Sequence, residues 1–382
     1  MKARGLYWCQ HLLGIGHLVR GMNVCKSLIE HFDIDFLQGG PQDIDLSIQS
    51  PNFKHLMLPS LANFPTGGVR DPQGRYSFNE ILEQRKEFIK KNLTENYAFF
   101  ICETFPFGKF PFLSEILEII QHVKKKNPRC LIISACRDCV AVKEQQIVQA
   151  MVELIKDYFD GVLVHSDSKI IQLEETFPRS CEFADKVLYT GIVTSPKKID
   201  FKVKREKRIV VSIGSGVVGE DFVKAVASVN TFFPNYEFIF SLGPRSPPSL
   251  KKVLETMQQA ILPSNIKIFS FLNDFEDILQ QCALSLSFAG YNTVADLLHT
   301  RTPALVYPLL SMVNPEQEIR AKKFAERGFL RVLSQEDLKP QRLSKIMREA
   351  LEMPYPSLEI NLNGAERTAH EISRLLNLLS GK

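Results

Sequence analysis

The chain has no uninterrupted apolar run of about 18 residues, so no segment reads as a membrane-spanning helix. Lys2 and Arg4 give a basic start, but no apolar core of signal length follows before Gly14 and His17, so no secretory leader is expected. Charge of one sign is missing too. The 47 Lys and Arg face 43 Asp and Glu, and a net +4 over 382 residues is too mild to point to nucleic acid. Glycine (20) and proline (21) are sparse, while hydrophobic residues reach 45% and charged residues 24%, which excludes collagen-like, disordered and low-complexity chains. Metal-ligand spacing is also lacking. Of the 8 cysteines, Cys136 and Cys139 form a C-x-x-C pair without two further ligands at zinc spacing. No metal and no cofactor are expected. Others, such as Cys102 and Cys282, sit in apolar runs where a thiol packs as a small hydrophobe, so a cytoplasmic protein with reduced thiols is expected.

What is present is a regular alternation. Short apolar runs at 5–9, 34–38, 99–102, 131–134, 161–164, 209–213, 237–242, 266–269, 284–288 and 304–307 read as buried strands. Amphipathic stretches such as 18–32 and 222–232 separate them and read as helices. Buried continuous strands alternating with helices indicate an α/β fold with parallel sheets covered on both faces. The polar, charged stretch 196–208 separates a unit over 1–195 from a second over 209–360, and 361–382 ends in an amphipathic helix carrying Ile372, Leu375, Leu376 and Leu379. No repeat of 20–50 residues is visible.

Three turns carry candidate chemistry. Gly14-Ile15-Gly16-His17 follows the first strand and opens the first helix. Its glycines allow a close backbone approach, and a neutral imidazole there can take a proton from a hydroxyl near neutral pH. A tight turn with His17 as a cap explains the same residues. Gly214-Ser215-Gly216, with Gly219 beyond, opens the second unit in the same way. Backbone N–H groups in such a loop can hold a diphosphate, and the lack of a Gly-Lys-Ser/Thr run disfavours nucleotide hydrolysis at the phosphate. Gly290-Tyr291-Asn292-Thr293 ends another strand. Thr293 with Asp296 reads as a shortened capping box, or Asn292 and Thr293 donate to a phosphate while Asp296 accepts from a diol. Glu316 and Gln317 open a later helix, where a solvated first turn is the plainer reading.

Together, Gln10-His11-Leu12-Leu13-Gly14-Ile15-Gly16-His17, Gly290-Tyr291-Asn292-Thr293 and Glu316-Gln317-Glu318-Ile319-Arg320-Ala321 resemble the GT-B nucleotide-sugar glycosyltransferases. The similarity is to the branch related to the peptidoglycan lipid-intermediate N-acetylglucosaminyltransferase, and to a bacterial group of predicted glycosyltransferases within it. Smaller echoes are Arg137-Asp138, His165-Ser166-Asp167, Thr190-Gly191 and the run 363–369, so the resemblance spans nearly the whole chain. Ala289 and Asp296 depart from the Gly and Glu usual there.

The resemblance implies two facing Rossmann-like domains, with the C-terminal helix packing back across the cleft. The acceptor would lie in the N-terminal half and the donor in the C-terminal half. His17 would be the general base, with Glu103 orienting it or binding acceptor; Gly14, Gly16, Arg20 and Arg137 would line the acceptor side. Gly214, Ser215, Gly216, Gly290, Asn292 and Thr293 would hold the donor diphosphate, helped by Arg245. Phe271 would lie by the base, Asp296 by the ribose, and Glu316 and Gln317 by the sugar. The implied reaction is inverting and metal-independent transfer from a nucleotide-sugar, with UDP the expected nucleotide.

The acceptor would be a small molecule, a glycan or a lipid-linked sugar, met in the cytoplasm or at the inner face of the membrane through peripheral contact. A basic and aromatic surface from Arg70, Arg75, Phe105, Phe107, Lys109, Phe110 and Phe112 would suit it, although phenylalanine usually means core. Three rivals remain open: a nucleotide-sugar hydrolase in which His17 activates water, an epimerase of similar architecture, and a non-catalytic nucleotide-sugar binding protein.

Overall fold

The computed structural model describes residues 2–381 apart from 13, 42–45, 47, 65–67, 142, 215–218, 244–245, 261–264, 273 and 310–314. The chain forms two compact units, one of Met1–Pro196 with Ile360–Lys382 and one of Lys197–Glu359.

The first unit runs β1 (Arg4–Cys9), α1 (Gly16–His31), β2 (Asp33–Gln38), β3 (Phe53–Met57), the hairpin β4 (Ala62–Phe64) and β5 (Gly68–Arg70), then α2 (Phe78–Asn92). It continues through β6 (Tyr97–Glu103), α3 (Leu113–Lys126), β7 (Leu131–Cys136), α4 (Gln145–Tyr158), β8 (Gly161–Val164) and β9 (Val187–Tyr189). Its seven-stranded sheet has the order β3-β2-β1-β6-β7-β8-β9 and is parallel throughout. Burial on both faces explains the unbroken apolar runs: Leu6 and Trp8 enter one core layer, Tyr7 and Cys9 the other. On α1, Leu18, Met22, Cys25 and Leu28 follow the helical period and are buried.

The second unit runs β10 (Glu206–Ser212), α5 (Glu220–Ser228), β11 (Glu237–Ser241), α6 (Pro248–Ala260), β12 (Ile266–Phe269), α7 (Phe275–Gln281) and β13 (Cys282–Ser287). Then come α8 (Tyr291–Thr300), β14 (Ala304–Val306), α9 (Glu316–Ala325), β15 (Arg331–Val332) and α10 (Pro340–Leu351). Its six-stranded parallel sheet has the order β12-β11-β10-β13-β14-β15. The helix expected over 222–232 stops at Ser228 and gives way to a single 3-10 turn, Asn230–Phe232.

The chain then returns to the first unit as α11 (Gly364–Leu379), whose Ala365, Ala369 and Ile372 are buried in the layer that holds Leu18 and Met22. Three of the small echoes meet at this joint. Asp167 Oδ2 accepts from the Asn361 backbone N–H (2.9 Å), and Thr190 Oγ1 lies 2.9 Å from His165 Nδ1. Gly191 has φ +96°, and a Cβ there would lie 2.5 Å from the Asn361 side chain, so glycine lets the returning segment pass. The end of the charged 196–208 stretch is not a solvated linker. Arg205 donates to the carbonyls of Leu279, Cys282, Thr300 and Arg301, closing the ends of α7 and α8. No helix among the described residues is long and apolar enough to cross a membrane.

Candidate active site

In each sheet the strand order reverses direction next to the first strand, between β1 and β6 in one unit and between β10 and β13 in the other. Loops leaving the carboxyl ends of such strands diverge and leave a crevice for ligand.

At the first reversal, α1 starts at Gly16 with Ile15 as its N-cap and no side-chain cap bond, so His17 does not cap the helix. Its Nδ1 faces Glu103 Oε1 at 3.2 Å and Thr104 Oγ1 at 3.1 Å. Glu103 ends β6 and is fully buried, and Tyr7 donates its hydroxyl to Oε2 at 2.7 Å. Arg20 pairs with Oε1 and is itself 2% exposed, so it stands behind His17 instead of lining an acceptor surface. Burial works to raise the Glu103 pKa, but the Arg20 charge and the His17 hydrogen bond outweigh it and hold the carboxyl well below its usual range.

Glu103, a carboxylate, can only accept, whereas Arg20 Nη2, which can only donate, lies 3.3 Å from the same Nδ1; the shorter carboxylate contact favours a proton on Nδ1 and a free lone pair on Nε2. Burial pushes His17 down to about 3, opposed by the Glu103 bond and reinforced by the charges of Lys109, Arg137 and Arg20. The imidazole is therefore neutral at physiological pH. Thr104 (φ +68°) and Lys109 (φ +62°) both adopt left-handed backbone, a strained conformation for non-glycine residues in the loop that brings Thr104 to His17. Burial also lowers Lys109, to about 8. Further back, Arg85 Nη1 donates to Gln10 Oε1 (2.8 Å), and Glu115 accepts from Trp8 Nε1 (2.6 Å), which anchors the start of the Gly-His loop. Gly14 and Arg137 are half-buried at the same edge.

At the second reversal, Gly214 has φ +64° and Gly219 has φ +122°. A Cβ on Gly219 would sit 2.6 Å from the Phe288 ring. Ser215, Gly216 and Arg245 lie outside the described residues. Helix α8 begins at Tyr291 with Gly290 as N-cap and no side-chain cap bond, so the Thr293–Asp296 capping box does not form. Asn292 and Thr293 occupy the first turn instead. Asp296 sits in the second turn, where burial and the charge of Glu276 raise it well above the usual carboxylate range. Glu276 Oε1 lies 2.8 Å from His299 Nδ1.

Glu316 opens α9 and is 6% exposed, so the solvated first turn is corrected too. Gln317 accepts from the Leu309 N–H at 3.1 Å, and Phe271 is exposed. The expected aromatic surface also changes. Phe105, Phe107 and Phe112 are core residues, while Arg70 stays exposed with its guanidinium 4.6 Å from the Phe64 ring. Cys136 and Cys139 are buried. Among the described residues, no cluster of three His, Cys, Asp or Glu could hold a metal ion. Sequence reasoning missed Tyr7, Thr104, Glu276 and His299. Only Thr104, next to Glu103 at a strand end, carried a signal that could have been read.

Residues 208–372 match the glycosyltransferase family 28 C-terminal domain. The chain is also 25% identical over 259 residues to a UDP-N-acetylglucosamine–N-acetylmuramyl-(pentapeptide) pyrophosphoryl-undecaprenol N-acetylglucosamine transferase of Bacillus thuringiensis, covering 63% of this chain and 67% of that protein. The second unit thus carries a family 28 glycosyltransferase domain. Solved structures share the chain's fold at low identity. The Acinetobacter baumannii MurG structure has TM-score 0.57 at 12% identity, covering 97% of this chain and 99% of that one. Medicago truncatula UGT71G1 complexed with UDP-glucose has TM-score 0.62 at 10% identity, covering 100% and 99%. The family 28 match begins inside β10 and ends inside α11, so it takes in the second reversal and does not include His17.

Proposed function

We propose that the chain transfers a sugar from a nucleoside diphosphate donor, with UDP as the nucleotide, to an acceptor hydroxyl with inversion and without a metal. The observation that carries this reading is the Arg20–Glu103–His17 relay, in which the buried Arg20 and Glu103 back a partly exposed, neutral imidazole with an ionised carboxylate. His17 Nε2 takes the hydroxyl proton as that oxygen attacks the anomeric carbon. The bond to the diphosphate breaks with its electron pair, and attack opposite the leaving group inverts the centre. A positioned base contributes about 10²–10⁴ in rate.

The departing diphosphate is held by the first turn of α8 with Asn292 and Thr293, joined by Gly214 and, on the sequence alone, by Ser215 and Gly216, which removes the need for a cation. Asp296 faces the ribose, Phe271 the base, and Glu316 and Gln317 the sugar. Gly14, Gly16 and Arg137 border the acceptor. The undecaprenol-linked acceptor in the name of the Bacillus relative supports a lipid-linked acceptor, met in the cytoplasm at the inner membrane face.

The test is calorimetry with UDP, GDP and dTDP, followed by nucleotide-sugar turnover with and without acceptors. Tight UDP binding with little acceptor-free turnover is the expected result. Absence of binding to all three removes the donor assignment. Rapid release of free sugar that is lost in His17→Ala replaces transfer by hydrolysis, and UDP binding with no turnover under any acceptor reduces the chain to a binding protein.

A further inference from the structure

Arg320 is 1% exposed, on the inward face of α9 one turn beyond Glu316. Its Nη1 donates to the Ala289 carbonyl at 2.8 Å, its Nη2 lies 3.7 Å from Glu316 Oε2, and its guanidinium centre is 5.6 Å from the Tyr291 ring centroid. One planar group thus reaches the residue before the Gly290 N-cap, the first residue of α8 and the first residue of α9. Neither helix has a side-chain cap of its own to set its first turn.

From this geometry we infer that Arg320 is the positioning residue of the donor-phosphate turn: it holds the Ala289–Gly290 peptide so that the N–H groups opening α8 face the diphosphate. In a trans peptide the C=O and the following N–H point in opposite directions, so fixing the Ala289 oxygen on Arg320 aims the Gly290 N–H the other way. The same guanidinium keeps the Glu316 carboxylate paired at the start of α9. Two directed donors are needed at two places, which suits the rigid fork of arginine and not the single ammonium of lysine. Arg320 itself touches no substrate in this scheme.

The inference rests on the proposed donor site, so its test must separate the two. The full chain is titrated with UDP, and uridine is measured by competition, for the unaltered protein, Arg320→Lys, the double variant Glu316→Gln with Arg320→Met, and Asn292→Ala. The double variant removes both buried charges together, so neither is left unpaired. A charge-assisted hydrogen bond of ordinary strength sets the expected loss at about tenfold in UDP affinity for both Arg320 variants. Uridine affinity should stay within about twofold, because the turn handles phosphate and not base.

A merely structural role would weaken UDP and uridine together, and that outcome overturns the inference. If Asn292→Ala weakens UDP while both Arg320 variants bind it normally, the donor site stands and the positioning role falls. If the unaltered chain binds no nucleoside diphosphate, the donor reading fails first and this inference with it.

Discussion

At the break in strand order the first unit gathers ionisable side chains, whereas the second gathers glycines, helix starts and backbone. Each site is steadied by a buried arginine, but the two arginines do different work. Arg20 neutralises Glu103 behind His17, so a charge relay is built into the core. Arg320 holds a carbonyl and so sets the direction of a peptide. On the proposed reading, one scaffold would serve proton transfer in one unit and anion binding in the other. The difference lies in the loop at the strand's carboxyl end: a histidine backed by a carboxylate, or a turn that exposes N–H groups.

The largest expected effect falls on the first unit alone. His17→Ala should lower kcat by about 10²–10⁴ while UDP affinity measured by calorimetry is unchanged, because the base contributes only to the chemical step. Loss of UDP binding as well would show that the two sites are not divided as described. Glu103→Ala leaves Arg20 buried without its carboxylate and should cost about 3–5 kcal/mol of stability in denaturant unfolding. Glu103→Gln keeps the volume and should lose less stability than the alanine variant while still losing rate, read from the two melting curves and kcat.

In the second unit, Gly219→Ala must take φ +122° and bring a Cβ against the Phe288 ring. A cost of about 1–3 kcal/mol in thermal unfolding is expected, with UDP affinity weakened by displacement of the loop.

Acid should act on the two units in opposite directions. His17 and His165 are both pushed down to about 3 by burial, so between the unfolded value of 6.5 and about 3 the unfolded chain binds protons that the folded chain refuses. The first unit loses stability as pH falls through that window, and Glu103, with its depressed folded pKa, adds to the loss below its ordinary value of 4.5. Asp296 has the reverse sign. Its folded pKa is raised from 3.8, so its carboxyl costs stability as pH rises above that value, and acid relieves the cost. Hydrogen exchange at pH 7 and pH 5 should show lower protection in α1 and β6 at pH 5 and equal or higher protection in α8. Parallel loss in both would contradict the burial described for Asp296. The smallest effect expected is that of Arg70→Ala, an exposed side chain stacked on Phe64, which should leave nucleotide affinity within about twofold.

Most of the α/β scaffold was legible because buried parallel strands are written as continuous apolar runs. The runs at 161–164 and 266–269 coincide with β8 and β12. Of the strands that escaped, β4 and β5 form the separate short hairpin, and β3, β9 and β15 lie at the edges of the two large sheets. With half-buried residues such as Phe53, Val187 and Val332, they lack the unbroken pattern. His17 was legible because a glycine turn before a helix announces itself locally.

The residues that complete each site were less visible. Glu103 is 86 positions from His17, and Ala289 is 31 from Arg320. Nothing in the local sequence says that these pairs meet. Local sequence decides what a segment can become, since periodicity and turn chemistry act within a few residues. Which charges are desolvated, and against which partner, is decided by strand order and register, because burial and Coulomb interaction depend on distance through space and not along the chain.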